Sequence, residues 1–309
     1  MPSKIGWTHE TWNPVTGCSK VSEGCQHCYA EAISLRQGWS RKPWTVPNAA
    51  ENVVCHPERL SKPRGWRRPR LIFVNSMSDL FHPLVVNQPS QDGLTFLDAV
   101  FGVMALTPHH TYQILTKRST EALAWWTDPV RPTRVTLAAH REKWAHRPHQ
   151  YQEPRVPVAW PLPNVWIGTS VENQRWAEPR LSALTRIPAI VRFVSCEPLL
   201  GPLTLLPWLD DLDWIITGAE SGPGARPMDD DWIRGLRDQC TPRAVPFFFK
   251  QRAHQGRKEV HPILDGREWA EFPVPSAERL SHRKRLAQVT PENRHDMIDW
   301  GPPVGREIW

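Results

Sequence analysis

Six short apolar runs, each followed at once by a polar segment, constrain the fold of this 309-residue chain most strongly. The runs are Leu71–Asn75, Thr111–Leu115, Val165–Gly168, Ile190–Val194, Trp214–Thr217 and Val245–Phe249. Continuous apolar runs of this length are typical of strands buried on both faces. The spacers between them leave room for helices, which predicts an α/β fold with a full or partial parallel (β/α) barrel.

The polar segments that follow these runs predict where a functional site lies. They carry charged, hydroxyl or glycine residues, for example Ser76–His82 after the first run and Gly218–Arg226 after the fifth. In parallel α/β folds, the loops beyond the carboxyl ends of the strands carry the site. We therefore expect these segments to form one shared rim.

The remaining segments define the expected domain organisation. We expect a first strand at Lys4–Trp7, helices starting at Tyr29 and at Leu94, and a barrel over residues 1–251. Residues 119–163 are too long for a simple crossover, so we expect an insertion that begins with a helix at Thr120–Trp126 and then becomes irregular. Residues 252–309 hold no further run of comparable strength and are expected to form a C-terminal extension on or beside the barrel.

Three of the six cysteines lie within one stretch, Thr11–Glu31. Six residues separate Cys18 from Cys25, and two separate Cys25 from Cys28. The short gap lets two thiolates face one metal centre, and the longer gap lets the third approach from another side. Gly17 and Gly24 precede two of the cysteines, where we expect a positive φ or a close approach to inorganic sulfide.

Two kinds of metal centre fit this motif. Zinc takes three cysteines and one histidine, and His9, His27 or His56 could complete such a site. An iron–sulfur cluster on three cysteines leaves one iron open for a ligand, which favours chemistry over a structural role. We favour the cluster. Unrelated thiols are the least favoured interpretation, because the three lie so close together beside glycines.

The overall charge permits a nucleic-acid partner without requiring one. The formal charge is +6 and the pI is near 9.1. The basic stretch 62–70, KPRGWRRPR, is interpreted as a solvated connector or, less securely, as a phosphate contact with Trp66 as a stacking platform. No run approaches a membrane span, and the first ten residues lack an apolar signal segment. We therefore expect a cytoplasmic protein with reduced thiols and no membrane partner.

Several longer motifs carry a family resemblance over residues 5–269. They are TWNPVTGC, NSMSDLFH, GTSVEN, SCEPLLGPL, GAESGPGARP and LDGREW. Together they resemble a phage-derived and bacterial three-cysteine family of largely unknown function. That family in turn is similar to the radical S-adenosylmethionine superfamily. The chain departs from the superfamily in having six residues between its first two cysteines where three are usual. It also has His27 at the usual aromatic position and no Gly-Gly-Glu segment after the second strand.

The resemblance implies a [4Fe–4S] cluster on Cys18, Cys25 and Cys28, with S-adenosylmethionine on the open iron. It also implies an electron donor and a 5′-deoxyadenosyl radical that takes hydrogen from a polar substrate, of which nucleic acid and nucleotides are candidates through the rim and stretch 62–70. By position, the candidates for holding S-adenosylmethionine are Ser76, Ser78, Asp79, Ser170 and Glu172. The candidates for a substrate-facing ring are Lys117, Arg118, Glu197, Glu220, Arg226 and Lys250. The alternatives are a non-catalytic zinc- or cluster-bearing nucleic-acid-binding protein and a metal-dependent hydrolase on a barrel scaffold.

Overall fold

A computed structural model describes residue 3 and residues 5–89, 93–145, 156–222, 224–254 and 257–275. Its main sheet has eight strands in the order β1-β4-β5-β6-β7-β8-β9-β10. These strands are β1 (Glu10–Trp12), β4 (Leu71–Val74), β5 (Thr111–Thr116), β6 (Val165–Ser170), β7 (Arg192–Cys196), β8 (Trp214–Gly218), β9 (Phe247–His254) and β10 (Arg257–Val260). The first seven pair in parallel, and β10 returns antiparallel to β9. The predicted α/β class with a partial parallel barrel is confirmed.

Helices occupy most connections between the parallel strands. They are α1 (Tyr29–Arg36), α2 (Ala49–Asn52), α3 (Pro83–Val86), α4 (Phe96–Leu106), α5 (Ser119–Thr127), α6 (Arg131–Trp144), α7 (Gln174–Leu184) and α8 (Asp230–Cys240). Two further antiparallel pairs join β2 (Val15–Thr16) to β3 (Val54–Cys55) and β11 (Ile263–Leu264) to β12 (Arg267–Glu268). In the part of the chain that the structure describes, none of these helices has the length and apolar character of a bilayer span.

The curvature of the sheet follows from the contacts of Trp7. Its ring lies 4.6 Å from that of Phe73 on β4 and 6.2 Å from that of Trp214 on β8. Four strand spacings separate β4 from β8, which is about 19 Å in a flat sheet. One indole cannot reach across that distance, so the sheet curls around Trp7.

Alternation along the strands divides the buried apolar side chains into two cores. Ile72 and Val74 face outward into the larger core beneath the helices, whereas Phe73 faces inward. We call the inward cluster the aromatic floor: Trp7, Phe73, Trp166, Phe193, Trp214 and Phe248. It closes the barrel interior below the carboxyl ends of the strands.

The structure corrects three of the predicted elements. The first strand is Glu10–Trp12, and the predicted strand at Lys4–Trp7 is wrong, because Trp7 crosses the floor instead of joining the sheet. The insertion after α5 is not irregular from the start, since α6 continues in the helical layer and packs on α4. Residues 146–155 of the insertion and residues 276–309 of the extension lie outside the described residues.

The C-terminal part continues the sheet beyond the predicted boundary. Strand β9 runs past residue 251, and the hairpin to β10 adds an eighth strand. Further on, the amide of Phe249 donates to the carbonyl of Trp269, and Ala270 bridges to Phe248. The segment up to residue 275 therefore packs on the barrel.

Candidate metal and cofactor site

One cavity of about 760 Å³ opens above the aromatic floor. Its wall takes side chains from the loop after β1 and from the carboxyl ends of β4 to β9, with one contribution from β10. A volume of this size is typical of small-molecule sites. We call it the mouth cavity. It lies at the rim formed by the polar segments that follow the strands.

The cysteine loop, residues 17–28, covers one side of the mouth cavity. It begins at Gly17, whose φ of +81° was expected from the sequence and whose place no larger residue could take, because a Cβ would stand 1.8 Å from the carbonyl oxygen of Asn52. The amide of Gly17 donates to the carbonyl of Met77 at 3.0 Å. The start of the loop is thereby fixed to the segment after β4.

All three motif cysteines line the mouth cavity, together with His27. Burial raises the pKa of Cys18 to about 12 and also raises the pKa of Cys28. In both cases the nearby Cys25 raises the pKa further, so the three sulfurs are electrostatically coupled. With their pKa values raised, Cys18 and Cys28 are protonated thiols at neutral pH, and metal binding would release these protons.

Arg118 and Asp79 hold the first cysteine in place. Arg118 donates from Nη1 to the sulfur of Cys18 at 3.5 Å and from Nη2 to the carbonyl of Ser19 at 2.9 Å. The same guanidinium pairs with Asp79 at 3.2 Å. Asp79 also accepts from the hydroxyl of Thr116 and the amide of Lys117, at 2.7 and 2.9 Å. Its carboxylate is thus already shared among groups of this chain, although it lines the cavity.

Glu172 anchors the middle of the cysteine loop from behind. It is fully buried and accepts from the hydroxyl of Ser22 and from Arg180, each at 2.7 Å. The ammonium of Lys117 lies 3.4 Å away. Burial opposes its ionisation, but Lys117 and Arg180 hold the pKa of Glu172 below its usual value. Glu172 does not line the cavity, so its position supports a structural role in place of the predicted cofactor contact.

Gly24 does not have the positive φ that was one of the two expectations, and its identity is explained by its close approach to Glu172. A Cβ at this position would stand 2.3 Å from Cγ of Glu172. Any side chain here would push the buried carboxylate out of its contacts. The glycine therefore lets the loop lie directly on its anchor.

Two ion pairs form the wall opposite the loop. Lys250 pairs with Glu197 at 2.8 Å, and Ser195 donates to the same carboxylate at 3.1 Å. Glu220 accepts from Nη2 of Arg226 at 2.5 Å and pairs with Nδ1 of His27 at 2.9 Å. Burial opposes ionisation of Glu220, but the hydrogen bonds from Arg226 lower its pKa to about 2. The second pair therefore ties the cysteine loop to the far side of the barrel.

The structure brings nine of the eleven predicted cofactor and substrate candidates to the mouth cavity. They are Ser76, Ser78, Asp79, Lys117, Arg118, Ser170, Glu197, Glu220 and Lys250. Arg226 and Glu172 do not line the cavity. Arg226 contacts the cavity wall indirectly, through its hydrogen bonds to Glu220. The hydroxyl of Ser78 donates to the carbonyl of Val15, and that of Ser76 to the side chain of Asn13, so both also brace the loop before the first cysteine.

Of the three histidines considered for a zinc site, His27 lines the cavity and pairs with Glu220, whereas His9 and His56 are engaged elsewhere. His9 accepts from the amide of Leu71, and His56 contacts Thr16 and Glu58 through its two ring nitrogens. Neither lines the cavity. Across the described ranges, no group of three or more His, Cys, Asp or Glu side chains is close enough to hold a single metal ion. A four-iron cluster differs in this respect, since each thiolate binds a different iron.

The basic stretch 62–70 lies at the opposite end of the barrel, before the amino end of β4. Trp66 packs against the outer core, and Lys62 and Arg70 lie 5.4 and 5.7 Å from its ring. Arg70 also pairs with Glu10, and Arg64 donates to the carbonyl of Glu142. The predicted stacking platform is therefore occupied by cations of its own chain, and it is remote from the cysteines.

Several residues of the site were missed from the sequence. Within the cysteine loop, Ser19 accepts a hydrogen bond from Arg118 and Ser22 donates one to Glu172. Arg180 pairs with Glu172 from α7, and Lys258 reaches the cavity from β10. Asn75 ends the first predicted run and lines the cavity with a φ of +65°. An asparagine at the end of a buried strand was the one available signal, because asparagine tolerates the left-handed region.

A parallel partial barrel with a thiol-bearing loop over its mouth defines the class of this protein. The chain belongs to the family described as protein of unknown function (DUF5131), which matches residues 2–273. Among curated proteins, no sequence matches. A mutant of spore photoproduct lyase is a similar solved structure, with 11% identity over 93% of this chain and 75% of that chain. Its TM-score is 0.38, so the likeness carries no argument here.

Proposed function

We propose that this protein is an iron–sulfur enzyme of the radical S-adenosylmethionine type that acts on a polar substrate. The observation that carries the proposal is the convergence of Cys18, Cys25 and Cys28 on one cavity at the carboxyl ends of the parallel strands. Three thiols without a fourth motif cysteine suit a cluster with one open iron. The motif resemblance described above agrees with this donor set.

The chain supplies the surroundings that such a cluster needs. Cys18, Cys25 and Cys28 would hold it, and it would supply one electron for reductive cleavage of S-adenosylmethionine. Arg118 donates to the sulfur of Cys18, and Lys117 lies close enough to Cys25 and Cys28 to be electrostatically coupled to them. Such hydrogen bonds and charges near the sulfurs adjust the reduction potential of iron–sulfur centres. These two cations also offset the negative charge of the thiolates.

The charged side chains of the far wall bind and orient a polar substrate. Lys250 and Glu197 present a cation and a carboxylate to the cavity, and Ser195 fixes the carboxylate. Arg226 keeps Glu220 ionised, so that Glu220 holds His27 beside the last cysteine. The aromatic floor closes the cavity from below and excludes water from that side.

Anaerobic purification tests the proposal directly. We expect a brown protein that absorbs near 400 nm with stoichiometric iron and sulfide, as iron–sulfur proteins do. The Cys25→Ser variant should lose the iron, whereas Cys55→Ser, a matched control outside the cavity, should keep it. With S-adenosylmethionine and a reductant, the intact protein should release 5′-deoxyadenosine.

Two results would contradict the proposal. A colourless protein with stoichiometric zinc would support the zinc-bearing alternative. An intact cluster that yields no 5′-deoxyadenosine would remove the radical step.

A further inference from the structure

Asn75 has a buried side-chain amide for which the described part of the chain provides no hydrogen-bond partner. Its side chain is 3% exposed and lines the mouth cavity, yet neither Oδ1 nor Nδ2 makes a hydrogen bond within the described structure. Its φ of +65° is an unusual conformation for a residue other than glycine. Leaving a buried amide unsatisfied destabilises the folded protein, so its presence calls for an explanation.

Trp7 adds a second unpaired donor to the same cavity. Its Nε1 is buried without a hydrogen-bond partner among the described residues, and Trp7 belongs to the cavity wall. Asn75 and Trp7 together offer three N–H donors, two of them on the Asn75 amide, and one acceptor oxygen. A planar ring with adjacent acceptor and donor atoms satisfies this set, and the amide-like edge of a nucleobase is such a group.

Lys250 and Lys258 supply an excess of positive charge on the opposite wall. Both line the cavity from the β9–β10 hairpin, and they lie close enough that each acts electrostatically on the other. Glu197 pairs with Lys250, but no carboxylate of the described residues lies within ion-pair distance of Lys258. Desolvation and the charge of Lys250 lower the pKa of Lys258, and Glu197 acts in the opposite direction. An anionic ligand group, such as a phosphate, relieves this repulsion.

The two walls stand at the same end of the barrel. Asn75 directly follows the last residue of β4, and Lys250 lies at a register shift near the carboxyl end of the β8–β9 pairing. Both therefore lie on the carboxyl-end side of the aromatic floor. Asn75, Trp7, Lys250 and Lys258 all line the same cavity of about 760 Å³, so one ligand that fills it can contact both walls.

We propose that the mouth cavity binds a nucleotide unit, with its base edge at Asn75 and Trp7 and its phosphate at Lys250 and Lys258. A nucleotide is then the substrate class of the proposed enzyme. The reaction on it rests on the proposed function, but the binding does not. S-adenosylmethionine lacks a phosphate, so the lysine pair distinguishes the substrate from that cofactor. A free nucleotide and a nucleotide within a strand share this chemistry.

Calorimetric titration of the full-length protein, as purified anaerobically, tests the binding without requiring any turnover. The probes are inorganic phosphate, the common nucleosides, their 5′-monophosphates and a 5′-phosphorylated dinucleotide. The wild-type protein should bind a monophosphate at least tenfold more tightly than its nucleoside. Tighter binding of the dinucleotide would identify a strand as the source, and equal binding a free nucleotide.

Three variants separate the two walls. Lys258→Gln should weaken monophosphate binding about tenfold and leave nucleoside binding unchanged. Asn75→Gly, which suits the positive φ, should weaken nucleoside and monophosphate binding alike, with an unchanged or higher melting temperature. Lys62→Gln, a control lysine at the opposite end of the barrel, should have no effect.

The inference is overturned if Lys258→Gln binds the monophosphate as the wild type does, or if the nucleoside binds as tightly as the monophosphate. Unchanged nucleoside affinity in Asn75→Gly would overturn the proposed contact between the base edge and the Asn75 amide. Failure of the radical reaction, with these binding differences present, would overturn the proposed function alone.

Discussion

The lower and upper halves of the barrel interior differ although the same strands build both. On β7, Phe193 belongs to the aromatic floor, and Ser195, two residues later, lines the mouth cavity. On β9, Phe248 and Lys250 show the same change. The floor is held by ring contacts without charges, whereas the mouth is held by buried ion pairs. The difference teaches that, inside the barrel, the floor contributes apolar packing, whereas the mouth holds its charges in place for binding.

The largest expected effect is on the floor. Trp214 is fully buried, and its ring lies within 6.2 Å of those of Trp7 and Trp166. We expect Trp214→Ala to lower the free energy of unfolding by about 3–5 kcal/mol, because it leaves a cavity and removes these contacts. Urea unfolding measures the change. Trp39→Ala, at a tryptophan that is 61% exposed, is the control and should change it by less than about 0.5 kcal/mol.

A buried charge of the mouth comes next. Glu172→Gln leaves Arg180 and Lys117 without their carboxylate, and breaking a buried ion pair costs about 3 kcal/mol. Because Glu172 also holds Ser22, we expect the variant to lose iron faster than the wild type during dialysis. Glu178→Gln, on the exposed side of α7, is the matched control. Equal iron retention and stability in the two variants would contradict the anchoring role of Glu172.

Gly24→Ala tests the close approach between the loop and its anchor. The added methyl group would overlap Glu172, and overpacking of this kind costs about 1–3 kcal/mol. We expect a lower melting temperature and a lower iron content. Gly235 is the control, because it has open space around it and a φ outside the left-handed region. Gly235→Ala should therefore leave both quantities unchanged or raise stability slightly.

The smallest expected effect concerns acid stability near the mouth. Burial, helped by the charge of Arg118, lowers the pKa of His82 to about 4. The folded state thus favours the neutral imidazole. Above the ordinary pKa of about 6.5, His82 is neutral in the folded and the unfolded chain alike. As the pH falls from there towards 4, the unfolded chain takes up a proton that the folded state resists, so the free energy of unfolding decreases. Asn at position 82 retains an acceptor for the amide of Leu84. We expect His82→Asn to lose about 1–2 kcal/mol less stability than the wild type between pH 7 and 4. Parallel curves of unfolding free energy against pH would contradict this.

The strands were predictable because strands buried on both faces form apolar runs, as at Leu71–Val74 and Trp214–Gly218. The first strand was not, because an apolar segment such as Ile5–Trp7 can cross a barrel interior as well as join a sheet. The three cysteines were predictable as a set, since their spacing is local. Nothing in the sequence indicated that Glu172, a candidate for holding S-adenosylmethionine, lies outside the cavity lining, because sequence alone does not tell which face of a rim a carboxylate occupies.

The sequence by itself determined six parallel strands of the main sheet, β4 to β9, the three-cysteine motif and the polar segments after these strands. These features depend on local patterns of burial and spacing, which a chain carries wherever it folds. Only the tertiary structure decided that Arg118 contacts Cys18, that Glu172 supports Gly24 and that the side chain of Asn75 has no hydrogen-bond partner among the residues described. Those contacts join residues far apart in the chain, and they arise because the sheet curls around Trp7 and brings distant strand ends to one mouth.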